Sequence, residues 1–341
     1  MNILVIGGTG FLGYHLTRRL LDDGHRATLF NRGERPDDFG GRVKRIQGDR
    51  YDRAGFGKAL TGTSFDAVVD MIAYTADDSR SAVETLRGKI GHYLHVGSAA
   101  VYVVTRDYPC PLREEDYDRA VAPRPGGDLG LWNYGIGKRG CEEVLRESYA
   151  RDRFPATVVR PPIIVGERDH TLRAYSYFLR LLDGRPIVLP DGGQSVMSLV
   201  YQDDVVRTIA GTLGKSVSFG RSYNLAQPRA LNLKEFLEVA ARVAGTTPEF
   251  ISIPFAVLKK AGWNASTSPF FNLRPLVLDT RRAETELGFR ATAVDTWLEK
   301  TIRWFTDDYR GGAPENYRWR DEEVRIIRDY REALSRFSEK G

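Results

Sequence analysis

The 341-residue chain is poor in sulfur, with two cysteines, Cys110 and Cys141, and three methionines. Two thiols make neither a disulfide framework nor a metal-binding spacing, which excludes a cysteine-stapled secreted fold and fits a reducing compartment. The five histidines, His15, His25, His92, His95 and His170, are scattered. None pairs with a carboxylate or thiol at zinc-like spacing, so no metal is expected and His95 reads as a satisfied core histidine. Long apolar runs are also missing; none approaches the roughly eighteen residues that span a bilayer. Met1-Asn2 leads straight into a strand pattern without a charged leader or cleavage site. These absences predict a cytoplasmic protein with no membrane partner. Charge of either sign is in small excess only, 50 Lys and Arg against 45 Asp and Glu, giving +5. With 42 % hydrophobic and 28 % charged residues the balance is that of a globular chain, and the length suits one large domain plus a smaller one.

What is present is concentrated at the start. Ile3 to Ile6 is an apolar run without alternation, the pattern of a strand buried on both faces of a parallel sheet. Gly7, Gly10 and Gly13 follow, and Leu16, Leu20 and Leu21 continue at helical spacing. A strand, a glycine turn and a helix in that order put backbone N–H groups and a helix N-terminus where a pyrophosphate sits. The candidate cradle is therefore Gly7, Thr9, Gly10, Phe11, Leu12 and Gly13.

The second strand, Arg26 to Phe30, ends in Asn31-Arg32. A carboxylate at this position binds the 2′-hydroxyl of NAD, whereas arginine accommodates the 2′-phosphate of NADP. Arg35 is close behind and no carboxylate precedes Glu34. The expected cofactor is NADP(H), with NAD(H) second.

Further strands are expected at 43–47, 67–71, 93–96 and 156–160, alternating with helical patterns near 53–60, 77–87 and 133–149. That alternation predicts an α/β fold, a Rossmann-type doubly wound parallel sheet. The chain returns to the sheet near Tyr223. The expected division is a dinucleotide-binding domain over 1–165 and about 196–228, with a smaller mixed substrate domain over about 166–195 and 229–312 that closes over the substrate. A helical extension occupies 313–341, docked on the body or on a second subunit in a possible homodimer. The irregular 106–131 stretch has the length of a functional or mobile loop, and Glu114-Glu115-Asp116 within it reads as a solvated face.

Tyr134 and Lys138 lie four apart and share one helix face. A phenol with a pKa near 10 is a poor base at neutral pH, and an adjacent ammonium stabilises its phenolate. Ser98 sits at the C-terminal end of the fifth strand, the edge where ligands bind in such sheets. It is placed to hydrogen-bond a substrate oxygen while Tyr134 moves the proton.

These pieces together resemble the extended short-chain dehydrogenase/reductases, the NAD(P)-dependent epimerase/dehydratase group. The match comprises Gly7-Gly-Thr-Gly-Phe-Leu-Gly13, Gly48-Asp49, Gly97-Ser98-Ala-Ala-Val-Tyr102, Tyr134-x-x-x-Lys138, Arg160-Pro161-Pro-Ile-Ile-Val-Gly166 and Tyr201-Gln-Asp203-Asp204. Asp279-Thr-Arg-Arg-Ala283 and Glu286-Leu-Gly288 continue it, so the resemblance covers roughly 1–305. It implies Ser98, Tyr134 and Lys138 as a catalytic set, with Lys138 also reaching the nicotinamide ribose. It further implies Asp49 and Arg50 at the adenine, Met71, Ile72 and Ala73 along the cofactor, and Pro161 and Ile163 near the nicotinamide.

Two departures stand out. Met197-Ser198 occupies the place of an expected arginine, and Asp70-Met-Ile-Ala73 replaces a histidine-containing strand end. Asn31-Arg32-Gly33 and Gly48-Asp49-Arg50 resemble a divergent branch that includes chloroplast stem-loop RNA-binding proteins. The leading expectation is hydride transfer, as an oxidoreductase, epimerase or dehydratase, at a secondary alcohol or ketone of a polar, sugar or nucleotide-sugar substrate. Arg168, Arg173, Arg180 and Arg281 are candidates for a phosphate clamp. The alternative is an RNA-binding or regulatory protein on the same fold. No aromatic–basic RNA motif supports it, so a nucleic-acid partner is not expected.

Overall fold

The computed structural model describes residues 1–127, 129–264, 267–271 and 274–338. Contacts group these into two compact units. The first contains Met1–Ile164, Val200–Pro228 and Leu278–Ala291. It opens with β1 (Asn2–Ile6), α1 (Phe11–Asp22), β2 (Arg26–Asn31), β3 (Val43–Gln47) and α2 (Arg53–Ala59). It continues with β4 (Ala67–Asp70), α3 (Ala76–Leu86), β5 (Tyr93–Val96), α4 (Ala100–Val103), α5 (Gly130–Asp152) and β6 (Ala156–Arg160). A seventh strand, Arg221–Asn224, completes a sheet in the order seventh strand, β6, β5, β4, β1, β2, β3. Every pairing is parallel.

Because all seven strands run one way, their C-terminal ends share one edge. Chain order reverses between β4 and β1, and such a switch point opens a crevice at that edge. Both faces of the sheet are covered, which explains the unalternated strands: Ile3, Leu4, Val5 and Ile6 are each 0 % exposed. Ile3, Val5 and Leu29 face α1 and the Gln202–Thr212 helix; Leu4, Ile6 and Phe30 face α2, α3 and α5.

The second unit contains Val165–Leu199, Arg229–Val277 and the chain from Thr292 onward. Ile187–Pro190 pairs in parallel with Phe250–Ile253, and Val196–Met197 pairs antiparallel with Leu231–Asn232. Its helices are Arg173–Leu182, Leu233–Ala244, Val294–Asp307 and Arg320–Ser338. Val188, Ile253, Leu258 and Trp263 form a core with Ile326 and Ile327 of the last helix.

Three placements bear on the sequence-based reading. Leu278–Ala291 groups with the sheet, where Ala283, Leu287 and Phe289 are buried against its core. The tail is an integral part of the second unit, because buried Glu323 pairs with Arg180 at 2.9 Å and with Arg320 at 3.0 Å. From Arg331 to Arg336 the helix is exposed, and residues 339–341 lie outside the described residues. The 106–131 stretch is anchored in its middle. Leu112 and Tyr117 are buried, and Asn224 Nδ2 donates to the Leu112 carbonyl at 3.1 Å.

Candidate functional site

The glycine turn carries three separate tasks. Gly7 has φ +88°, the left-handed region, and its N–H donates to the Phe30 carbonyl at 3.1 Å, tying the turn to β2. A Cβ on Gly13 would lie 2.2 Å from the Gly7 carbonyl, so α1 packs directly on the turn. A Cβ on Gly10 would meet nothing nearer than Arg35 Nη1 at 3.6 Å, which leaves room for a ligand beside a guanidinium. Gly10 caps α1 without a side chain, and the first turn holds no acidic residue. The N-terminal end of α1, its helix dipole without an acidic residue in the first turn, and the open space over Gly10 fit a pyrophosphate. Leu12 is buried in the core, whereas Thr9 and Phe11 are half-buried at the turn.

At the end of β2, Asn31 Oδ1 accepts from Gly33 N at 3.1 Å, and Asn31 Nδ2 donates to Thr9 Oγ1 at 3.4 Å. Arg32 is exposed and pairs with Glu34 at 2.7 Å. Asp49 is also exposed and accepts from Tyr51 N at 2.8 Å. Its neighbour Arg50 departs from the expected adenine contact. Its side chain is 1 % exposed, pairs with Asp70 at 3.2 Å, donates to the Asp78 carbonyl, and lies 4.4 Å over the Phe56 ring.

That burial explains Asp70, which takes the place of the expected histidine. One carboxylate oxygen accepts from Tyr93 Oη at 2.8 Å and from Arg50; the other accepts from Ile72 N at 3.0 Å. The carboxylate thereby shapes the Met71-Ile72-Ala73 turn. A Cβ on Gly7 would meet Ile72 Cγ2 at 2.9 Å, so this turn packs against the glycine turn. Burial and Asp70 push the Tyr93 phenol well above its ordinary range.

Lys138 is 2 % exposed. Its Nζ donates to the Ala73 carbonyl at 2.8 Å and the Val96 carbonyl at 2.9 Å, which fixes the ammonium at the ends of β4 and β5. Burial lowers its pKa; Cys141, Asp70, Glu142 and Asp78 act in the opposite direction. Tyr134, one helical turn earlier, is 38 % exposed, and its ring centre is 5.9 Å from Lys138 Nζ. Ser98 is half-buried just past β5, where its Oγ accepts from Ala100 N at 3.2 Å. Buried Pro161 accepts from Ala99 N at 2.9 Å, placing it beside Ser98, while Ile163 is half-buried two residues on.

Features without a sequence signature in the expected pattern bring these segments together. A Cβ on Gly135 would lie 2.6 Å from the Ala100 carbonyl, one on Gly137 2.3 Å from the Tyr74 carbonyl, and one on Gly140 3.1 Å from Ala76 Cβ. The N-terminal half of α5 therefore touches, through glycines, both the Ser98 segment and the Tyr74–Ala76 stretch that follows Met71–Ala73. The signal was present as Gly135-x-Gly137-x-x-Gly140 but is shared with many helices. Tyr74, 39 % exposed, is a second phenol at the site.

Three other expectations are corrected. His95 is 0 % exposed, yet both ring nitrogens lack a hydrogen-bond partner among the described residues. Burial, followed by Lys138 and Arg50, holds its pKa well below the usual histidine range. Glu114 is buried rather than solvated, and accepts from Asn224 N at 2.8 Å. Arg180 is 1 % exposed and committed to Glu323, which removes it from any phosphate clamp. Arg281 is exposed and pairs with Asp279. Among the described residues, no helix is long and apolar enough to cross a membrane.

A parallel sheet with a glycine-turn anion cradle at its switch point, and a buried lysine one turn from a tyrosine at the same edge, define a dinucleotide-binding protein of the short-chain dehydrogenase type. The chain belongs to the NAD dependent epimerase/dehydratase family, whose model matches residues 3–226. It is 28 % identical over 263 residues to the chloroplast stem-loop binding protein of 41 kDa b of Arabidopsis thaliana, covering 73 % of this chain and 65 % of that protein. It is 27 % identical over 310 residues to the 2′-dehydrokanamycin reductase of Streptomyces kanamyceticus, covering 87 % and 84 %. The fold is similar to that of UDP-glucose 4-epimerase from Thermotoga maritima, solved with UDP-glucose, at TM-score 0.71 and 18 % identity over 90 % of this chain and 99 % of that one. It is also similar to dTDP-glucose 4,6-dehydratase from Bacillus anthracis in complex with NAD, at TM-score 0.69 and 16 % identity over 90 % and 97 %. The resemblance drawn from the motifs, the divergent branch included, agrees with this membership, and so does the reading of the chain as an enzyme.

Proposed function

We propose that the protein catalyses hydride transfer at a secondary alcohol or ketone of a polar, sugar-like substrate, using NADP(H) and the set Ser98, Tyr134 and Lys138. The observation that carries the reading is the buried Lys138 ammonium, held by the Ala73 and Val96 carbonyls beside the partly exposed Tyr134 ring. When bound, the nicotinamide would donate or accept the hydride. Tyr134 then moves the hydroxyl proton, Lys138 favours its phenolate, and Ser98 Oγ orients the reacting oxygen. The turn at Gly7–Gly13 would hold the pyrophosphate, Asn31 and Arg32 the adenosine ribose, and Met71–Ala73 with Pro161 and Ile163 would line the nicotinamide end. Exposed Arg32, paired with solvent-facing Glu34, supports NADP(H) over NAD(H), and the sugar class follows the names of the relatives.

Two measurements test it. Tyr134→Phe is expected to lower turnover about 10²–10⁴-fold while leaving dinucleotide affinity unchanged; near-normal turnover would overturn the assignment. In titrations of both nucleotides, Arg32→Ala is expected to weaken NADPH about tenfold through loss of one charge-assisted contact, and to leave NADH unaffected. A preference for NAD(H) that Arg32→Ala does not disturb overturns the cofactor choice.

A further inference from the structure

Lys138 is enclosed by more than its two carbonyl acceptors. Its Nζ lies 4.7 Å from the centre of the Tyr74 ring, nearer than the 5.9 Å to Tyr134, and the two rings are 6.3 Å apart at 49°. The Tyr74 backbone is fixed from both sides. Its N–H donates to Asp78 Oδ2 at 3.0 Å, and its carbonyl faces Gly137. The other titratable groups facing the ammonium are Asp70 from β4, Asp78 from α3, His95 from β5, and Cys141 and Glu142 from α5. Burial weakens a charge in this position, and a ring face offsets that loss because its quadrupole attracts a cation.

We propose that Tyr74 is a positioning residue of this site: its ring, beside that of Tyr134, holds the Lys138 ammonium charged and aimed at the Tyr134 phenol. The inference rests on the reading of Tyr134 as the proton-transfer group. It assigns the work to the ring face and not to the hydroxyl. Burial and the neighbouring phenols raise the Tyr74 pKa, so its own proton stays in place.

The test uses the whole protein without ligand. Tyrosinate absorbance is followed against pH in the wild type, Tyr74→Phe and Tyr74→Leu, and the same curve with Tyr134→Phe added is subtracted in each background. The difference isolates Tyr134. In the wild type its transition is expected below the ordinary value of about 10. Tyr74→Phe, which keeps the ring, is expected to leave it in place; Tyr74→Leu is expected to raise it by about one pH unit. Melting curves verify the fold, and Tyr74→Met replaces the leucine variant if that one does not fold. A low transition that stays put in the ringless variants overturns the role of Tyr74 alone, as does an equal shift in Tyr74→Phe, which would implicate the hydroxyl. Absence of any low transition in the wild type overturns the proton-transfer reading itself, and this inference with it.

Discussion

His92 shows how far one buried side chain ties stability to pH. Gly214 N donates to its Nδ1 at 3.1 Å, so Nδ1 is the acceptor and Nε2 faces Thr157 Oγ1 at 2.9 Å as donor. Protonation would set two donors against each other, and burial lowers the pKa from 6.5 to about 4. Between those values the unfolded chain binds a proton that the folded chain refuses. Stability therefore falls as pH drops from about 6.5 to about 4 and levels off below, a loss of about 3 kcal/mol from this residue. Urea midpoints at pH 7, 5.5 and 4.5 should show that slope in the wild type, and a flatter one in His92→Gln. Arg50 and Asp70 make a second case. Removing one member of a buried pair strands the other, so Asp70→Asn should cost about 3–5 kcal/mol, whereas replacing both with apolar residues should cost less. Neither fact was legible in the sequence. Arg50 reads as a nucleotide contact because it follows Asp49, and only the side on which Asp70 lies turns it inward.

Among elements, α5 carries the site. Gly137→Ala would place a Cβ 2.3 Å from the Tyr74 carbonyl, and backbone has little room to give. The expected cost is about 1–3 kcal/mol, read as a lower melting temperature together with weaker dinucleotide binding, since Lys138 would lose its reach to Ala73 and Val96. Gly126→Ala, where a Cβ meets nothing, serves as the control. The strands of the sheet were readable because burial on both faces leaves uninterrupted apolar runs, and the observed Val43–Gln47, Tyr93–Val96 and Ala156–Arg160 coincide with the expected bounds. The spacing of Tyr134 and Lys138 was equally readable. The docking of the 106–131 stretch was not. Its anchors, Leu112, Glu114 and Tyr117, are too few and too irregular to form a period; Leu112 and Glu114 meet Asn224, more than a hundred residues away in the chain, and Tyr117 Oη donates to the Arg139 carbonyl of α5.

For the whole molecule, the tail divides sharply. Ile326 and Ile327 are 7 % and 2 % exposed, and Glu323 is the counter-charge of buried Arg180. Ending the chain after Tyr330 should leave the melting temperature nearly unchanged. Ending it before Arg320 removes two buried isoleucines worth about 2 kcal/mol each and strands a buried guanidinium; soluble yield should collapse. The basic pI of about 9.1 is likewise tempered by arrangement. Arg325, Arg328, Arg331 and Arg336 of the last helix each pair with a carboxylate. A gel shift with structured RNA at physiological salt is expected to show no tight complex, and a salt-resistant complex would favour the RNA-binding alternative.

The close approach of α5 to its neighbours also bears on when the site comes into being. Gly135, Gly137 and Gly140 each disfavour an isolated helix by about 1 kcal/mol relative to alanine, so this segment has no intrinsic tendency to coil before the sheet exists. A peptide spanning 129–152 should be unstructured by circular dichroism, and in the intact chain the Tyr134–Lys138 pair should be the last part of the sheet unit to gain hydrogen-exchange protection. The glycines that let the helix come close to its neighbours also keep the Tyr134–Lys138 pair from assembling on a half-folded chain.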